Sequence, residues 1–181
     1  MADTSIYRDI AERTGNTFYL GVIGPVRTGK STFIKKFMET LVIPNIKDEN
    51  ERERTRDEMP QSAAGKTVMT TEPKFIPDEP VEITLGDNAV MKVKMVDCVG
   101  YIIPGAMGHI EDGHARMVHT PWQSEPMPFV EAAEYGTRKV IREHSTVGIV
   151  VTTDGTIGTL ERSSYEAAEE KVIRQLTEMR K

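Results

Sequence analysis

Apolar positions at the start of the chain follow two successive patterns. Residues 18–23 (FYLGVI) form a short apolar run rich in β-prone side chains. Residues 31–42 then place Phe33, Ile34, Phe37, Met38 and Leu41 at the three- and four-residue spacing of one helical face. The pattern predicts a buried strand, a short connection and an amphipathic helix. Ahead of them, residues 1–16 read as a helical lead-in closed by Gly15.

Beyond the first helix the pattern changes. Residues 48–58 (DENERERTRDE) hold six acids, three arginines and no apolar side chain. Such a stretch is a solvated helix or a mobile loop or, on a sharper reading, a self-association surface. Residues 61–71 are small and polar, as suits a segment that changes conformation. Residues 81–85 and 89–96 alternate apolar and polar around Gly86, Asp87 and Asn88, which predicts an antiparallel hairpin with one buried face. Residues 101–128 show no sustained period and read as a long irregular segment, uncommon in a compact domain unless it is functional. Residues 129–144 predict a helix and residues 145–155 a core parallel strand with a polar C-terminal end. Residues 160–181 predict a last amphipathic helix with Tyr165, Ala168, Val172, Leu176 and Met179 in register.

Elements in this order predict an α/β fold of three layers (αβα), with a mainly parallel sheet and one antiparallel hairpin. A length of 181 residues suits one domain over 1–181. The net charge of −5 argues against a general nucleic-acid binder. No apolar run is long enough to span a membrane and the first residues lack a signal pattern, so a cytoplasmic location is expected. Cys98 is the only cysteine, which excludes an internal disulfide; the valine-rich strand around it assigns it to buried packing.

The connection between the first strand and helix carries chemistry. Gly24-Pro25-Val26-Arg27-Thr28-Gly29-Lys30-Ser31 fits the phosphate-loop pattern G-x-x-x-x-G-K-[ST] and is followed by Thr32. A triphosphate needs several backbone N–H donors converging on one place. The glycines permit that curvature, the helix N-terminus and the Lys30 ammonium favour the anion, and the Ser31 hydroxyl suits Mg²⁺. The fold class is therefore expected to be a P-loop NTPase, with residues 24–32 contacting nucleotide and Lys30 catalytic.

Asp97-Cys98-Val99-Gly100 ends the second strand of the hairpin. Downstream of a phosphate loop, a D-x-x-G turn supplies an aspartate for Mg²⁺ and a glycine amide for the γ-phosphate. Thr70 and Thr71 precede the hairpin, where a switch threonine closes over metal and γ-phosphate. Counting back from Phe75-Ile76 favours Thr71 as the metal contact beside Ser31 and Asp97, with Thr70 as the alternative. His109, His114 and His119 recur every five residues, but no cysteine joins them and a metal site there is rejected. Trp122 is either a packing anchor or an exposed contact residue.

In nucleotide switches of this type the next strand carries the N-K-x-D motif that reads guanine. That motif is missing here, and Thr152-Thr153-Asp154 is too early to be it. The chain is thus expected to be an N-terminal part of a longer protein, truncated before the base-reading strand.

The phosphate loop, the run from Pro60 through Thr70-Thr71-Glu72-Pro73-Lys74-Phe75, Asp97-Cys98-Val99-Gly100-Tyr101 and Thr152-Thr153-Asp154-Gly155-Thr156-Ile157-Gly158 together carry a resemblance. The chain resembles the N-terminal nucleotide-binding domain of the stage IV sporulation protein A family over nearly its whole length. That resemblance implies a translation-factor-related domain that hydrolyses ATP with Mg²⁺ rather than GTP. It implies self-assembly into a platform on the forespore surface, in the mother-cell cytoplasm, on which the spore coat is built. Spore coat proteins and a small amphipathic membrane peptide are the implied partners. Residue by residue it implies Lys30 and Ser31 for phosphate and metal, Thr70 and Thr71 as the switch, and Asp97 as the metal-holding acid.

Two functional classes stay open on the residues alone: an ATPase whose cycle drives self-assembly, and a GTP-dependent switch that binds an effector without polymerising. Directly after the D-x-x-G turn, where many GTPases place a water-orienting glutamine, stand Tyr101 and Ile102. Arg27 resembles the internal arginine finger in the loops of guanylate-binding proteins; its other reading is a side chain facing solvent or paired with an acid.

Overall fold

The structure is a computed structural model that describes residues 14–60, 71–85, 89–154 and 160–179. Its centre is β1, Thr17–Ile23, flanked by β3 (Ala89–Asp97) and β8 (Val147–Val150), with β2 (Lys74–Leu85) outside β3, in the order β2-β3-β1-β8. β1 runs parallel to both neighbours, with Val22 opposite Asp97 and Ile23 opposite Val150, while β2 is antiparallel to β3. This register fixes the site: the phosphate loop leaves β1 directly beside the end of β3.

Alternation along the strands builds one core on each face. Val22, Met95, Val93 and Ile83 pack with Ile34, Met38 and Val42 of the first helix. Ile23, Val96 and Cys98 pack with Val140, Ile141, Tyr165, Val172 and Leu176 on the other face. Cys98 is buried there, as expected. The result is an α/β sandwich whose sheet is mostly parallel.

The first helix, α1, runs Lys30–Phe37 and continues as a π turn, Met38–Val42, and a 3₁₀ turn, Ile43–Asn45. Its buried stripe is Ile34, Met38 and Val42, each fully buried, whereas Leu41 is 49% exposed and Phe33 and Phe37 are only partly buried. The expected face of Phe33, Ile34, Phe37, Met38 and Leu41 is corrected accordingly: the wider π turn rotates Leu41 outward and Val42 inward.

Residues 48–58 settle as a helix, α2 (Glu49–Asp57), with only Thr55 buried. Local chemistry forms it: Asp48 caps the first turn by accepting from the Glu51 amide at 2.8 Å, with acids in the first turn and Arg54 and Arg56 in the last.

The 81–96 hairpin forms with a longer first strand, because Phe75 and Ile76 also pair with Val96 and Met95. Its register shifts between Ile76 and Val81, around Pro77 and Pro80, which have no N–H for the ladder. Its turn, residues 86–88, lies outside the described residues.

The segment 101–128 is irregular only up to residue 109. It holds two hairpins: β4 (Ile110–Glu111) with β5 (His114–Ala115), and β6 (Met117–Thr120) with β7 (Gln123–Pro128). Asp112 and Gly113 turn the first at φ of 50° and 78°, the left-handed pair of a tight hairpin. The second escapes a period-based reading because Pro126 and Pro128 lie within β7, where a two-stranded ribbon tolerates them. Trp122 at its tip stacks on Tyr135, with ring centroids 5.4 Å apart, so it anchors the hairpin to the helix that follows.

That helix, α3, spans Phe129–Lys139 and ends in a π turn, Val140–His144. β8 is parallel as expected but shorter, and every residue in it is only half-buried, because among the described strands it has a neighbour on one side only. In α4, Ser163–Met179, the stripe of Tyr165, Ala168, Val172 and Leu176 is buried while Met179 is 37% exposed. Residues 1–13 of the lead-in lie outside the described residues.

Candidate functional site

The loop after β1 is tied down before any ligand is considered. Pro25 forms a parallel bridge with Tyr101, and the Val26 amide donates to the Tyr101 carbonyl at 2.9 Å. The Val26 side chain is 1% exposed in the core. Val26 therefore anchors the loop with both its side chain and its N–H. Thr28 closes the turn by donating from its hydroxyl to Pro25 O at 3.0 Å.

Gly29 starts α1 with no side chain capping the helix. The first N–H groups of a helix have no partner within it, so this end presents free donors and a positive dipole end. Lys30 joins it. Its side chain is 6% exposed, and Nζ donates to Pro25 O at 2.6 Å and to Gly24 O at 3.4 Å. Burial pulls the lysine pKa down, against opposing fields from Cys98 and Asp97. Lys30 thus rests on two loop carbonyls and feels the Asp97 carboxylate nearby, but makes no ion pair with a described residue.

Ser31, one residue on, donates from Oγ to Asp97 Oδ2 at 2.6 Å. The other carboxylate oxygen, Oδ1, is buried and has no hydrogen-bond partner among the described residues. Burial raises the Asp97 pKa, opposed first by the Ser31 hydrogen bond and then by Lys30. A hydroxyl and a bare carboxylate oxygen are hard donors of the kind Mg²⁺ takes. The residues present fit that ion.

Gly100 closes the other side. A Cβ there would lie 2.0 Å from Gly24 O and 2.8 Å from Lys30 Nζ, and φ is +89°, so only glycine lets the D-x-x-G turn approach the lysine this closely. The Gly100 amide donates to Thr137 Oγ1 of α3 at 3.2 Å.

The structure thus brings Gly24, Pro25, Lys30, Ser31, Asp97 and Gly100 together. Thr32 is exposed on the first turn of α1, and Arg27 is exposed, with φ of 64° and no ion pair to a described residue. Thr71 is 7% exposed, and its carbonyl lies where a Cβ on Gly136 of α3 would meet it at 2.8 Å. Among the described residues no hydrogen bond joins Thr71 to Ser31 or Asp97. Thr70 lies outside the described residues.

Sequence reasoning missed Gly136 and Thr137. A signal was present: a glycine inside a helix costs about 1 kcal/mol relative to alanine and marks a close approach.

Strand, loop, helix and D-x-x-G turn form an α/β domain with a mostly parallel sheet, an arrangement consistent with a P-loop-like domain. The chain belongs to the family Stage IV sporulation protein A, ATPase domain, which it matches over residues 1–181. It is 59% identical over 181 residues to stage IV sporulation protein A of Bacillus subtilis (strain 168), and 58% identical over 181 residues to that of Bacillus anthracis. Each match covers 100% of this chain and 37% of the relative. Against the protein of Clostridioides difficile (strain 630) it is 58% identical over 179 residues, 99% of this chain and 36% of that one. The chain therefore spans little more than a third of these relatives. No solved structure matches it. Among the described residues no helix is long and apolar enough to cross a membrane.

Proposed function

We propose that this domain is a P-loop ATPase that binds ATP with Mg²⁺ and hydrolyses its β–γ anhydride. Hydrolysis drives self-assembly into the platform on the forespore surface on which the spore coat is laid down. Spore coat proteins and a small amphipathic membrane peptide are its partners there.

One observation carries the reading: the Ser31–Asp97 pair, with a carboxylate oxygen that has no hydrogen-bond partner among the described residues, stands beside a buried Lys30 whose hydrogen-bond partners among those residues are carbonyls. An anion with a bound divalent cation completes both halves. The free N–H groups of α1 and the Lys30 ammonium would hold the β- and γ-phosphates, Lys30 exchanging its carbonyl partners for phosphate oxygens. Ser31 and Asp97 would hold Mg²⁺, with Thr70 or Thr71 closing the site, and the ion supplies charge neutralisation on the phosphate oxygens. Water adds to the γ-phosphorus as the bond to the bridging oxygen breaks, giving ADP and phosphate. Arg27, within the loop and with no ion pair to a described residue, supplies a further cation for the charge that grows at the bridging oxygen.

The test is competition of ATP against GTP for a fluorescent nucleotide on the full-length protein, followed by light scattering with the preferred nucleotide. Preference for ATP with Mg²⁺-dependent growth of scattering supports the reading. Preference for GTP without growth would establish an effector-binding switch in its place.

A further inference from the structure

The amide that the D-x-x-G turn offers to a γ-phosphate is already engaged. Gly100 N donates to Thr137 Oγ1 at 3.2 Å, and the Thr137 hydroxyl proton is committed to Ala133 O at 2.8 Å, one helical turn back. That backbone bond fixes the hydroxyl rotor, so a lone pair faces Gly100. Thr137 is 1% exposed, which leaves water no access as a substitute acceptor. The same turn sits against Lys30, where a Gly100 Cβ would lie 2.8 Å from Nζ. Gly136, next to Thr137, meets the Thr71 carbonyl. One turn of α3 thus touches both segments that flank the expected γ-phosphate position.

We propose that Thr137 is the resting acceptor of the Gly100 amide and sets how strongly the domain distinguishes a nucleoside triphosphate from a diphosphate. The inference rests on the phosphate-site reading above. A γ-phosphate takes the Gly100 N–H only by displacing Thr137, so triphosphate binding exchanges one hydrogen bond for another. A diphosphate ends short of Gly100 and leaves the pair intact. Thr137 is a positioning residue, acting through Gly100 without touching nucleotide. Losing the acceptor leaves the buried Gly100 N–H with only the weak acceptor Cys98 Sγ in reach, which penalises the resting state and its diphosphate complex together. Only the triphosphate complex escapes the penalty.

The experiment is equilibrium binding of ADP and a non-hydrolysable ATP analogue to the full-length protein and to Thr137→Val and Thr137→Ser. Thr137→Val should tighten the analogue about threefold to tenfold, the value of one such hydrogen bond, while ADP affinity stays within error. Thr137→Ser keeps the hydroxyl and should restore the wild-type ratio. An unchanged analogue-to-ADP ratio in Thr137→Val, or an equal shift in Thr137→Ser, overturns the assignment. If Thr137→Val does not fold, the amide resonance of Gly100 in the wild type decides: it should stay in place with ADP and move with the analogue, and movement with ADP overturns the proposal. A wild type that binds neither nucleotide overturns the phosphate-site reading itself, a result distinct from an unmoved ratio.

Discussion

Asp97, the last residue of β3, accepts a 2.6 Å hydrogen bond from the hydroxyl of Ser31 in the first turn of α1, while its second oxygen is buried without a partner among the described residues. The contact crosses 66 positions of sequence and exists because β1 and β3 are parallel neighbours ending level with each other. It places an ionisable group where charge is costly until a cation arrives.

The pH dependence follows with a definite sign. In the unfolded chain Asp97 ionises in the ordinary carboxylate range; in the fold, burial raises its pKa. Below the ordinary range it is neutral in both states, and the raised pKa contributes fully to stability. As pH rises through the raised value, the native state must carry a buried charge and that contribution is lost. Asp97→Asn keeps an acceptor for Ser31 and never ionises. In EDTA, the variant should therefore gain on the wild type as pH rises above the ordinary carboxylate range and through the raised value, read from thermal melts. Excess Mg²⁺ should close the gap in the wild type only. A difference that stays flat with pH would overturn the account.

The two close glycines separate strain from collision. Gly29 has φ of +88° and open space where a Cβ would stand, whereas Gly100, at +89°, would drive a Cβ to within 2.0 Å of a backbone carbonyl. Gly29→Ala should cost about 1 kcal/mol, the penalty for a left-handed non-glycine residue. Gly100→Ala should cost about 3 kcal/mol or more, because the Gly24 carbonyl belongs to a loop bridged to Tyr101 and cannot give way cheaply. Urea midpoints compare them directly, and equal losses would contradict the geometry.

Local chemistry made part of this site legible in the sequence and distance hid the rest. The phosphate loop and the D-x-x-G turn are contiguous motifs whose roles depend on a few backbone atoms, so Lys30, Ser31, Asp97 and Gly100 could be read before any fold. The α1 face was misread because a π turn breaks the regular helical period at Met38–Val42. Asp112-Gly113 is a hairpin signal, yet its flanking strands of two residues each are too short to show alternation. Thr137 carries no motif: its place behind Gly100 comes from α3 packing across the sheet, at a separation of 37 residues.

The Tyr101 side chain turns toward α4. Its ring is 2% exposed, its hydroxyl donates to Gln175 Oε1 at 2.5 Å, and the Lys171 ammonium lies 5.6 Å from its centroid, all against α4. Tyr101→Phe should lose about 1 kcal/mol of stability and leave hydrolysis within about twofold. A side chain orienting the attacking water would cost orders of magnitude instead. If a switch threonine or a neighbouring subunit supplies the water contact in the proposed ATPase, specific activity should rise with protein concentration. Fast turnover that is flat on dilution would sink that part of the argument.

Arg27 is held in the left-handed region at φ of 64°, a conformation that costs a non-glycine residue about 1 kcal/mol, and its side chain is exposed and makes no ion pair with a described residue. Strain kept in a phosphate loop, on a side chain with no structural partner, is the pattern expected of a group reserved for the reaction. Two substitutions separate the backbone from the guanidinium. Arg27→Gly relieves the strain and should raise stability by about 1 kcal/mol, while Arg27→Ala should not. Both should leave the ATP dissociation constant within a few-fold and lower hydrolysis by about a hundredfold or more, the scale of a finger arginine acting on transition-state charge. Arg27→Lys should rescue poorly, because an ammonium lacks the planar fork that bridges two oxygens. Single-turnover hydrolysis beside equilibrium binding decides the matter. A hydrolysis rate unchanged in Arg27→Ala under assembling conditions would leave the strain at Arg27 without a catalytic purpose and Lys30 as the loop's one cation at the γ-phosphate.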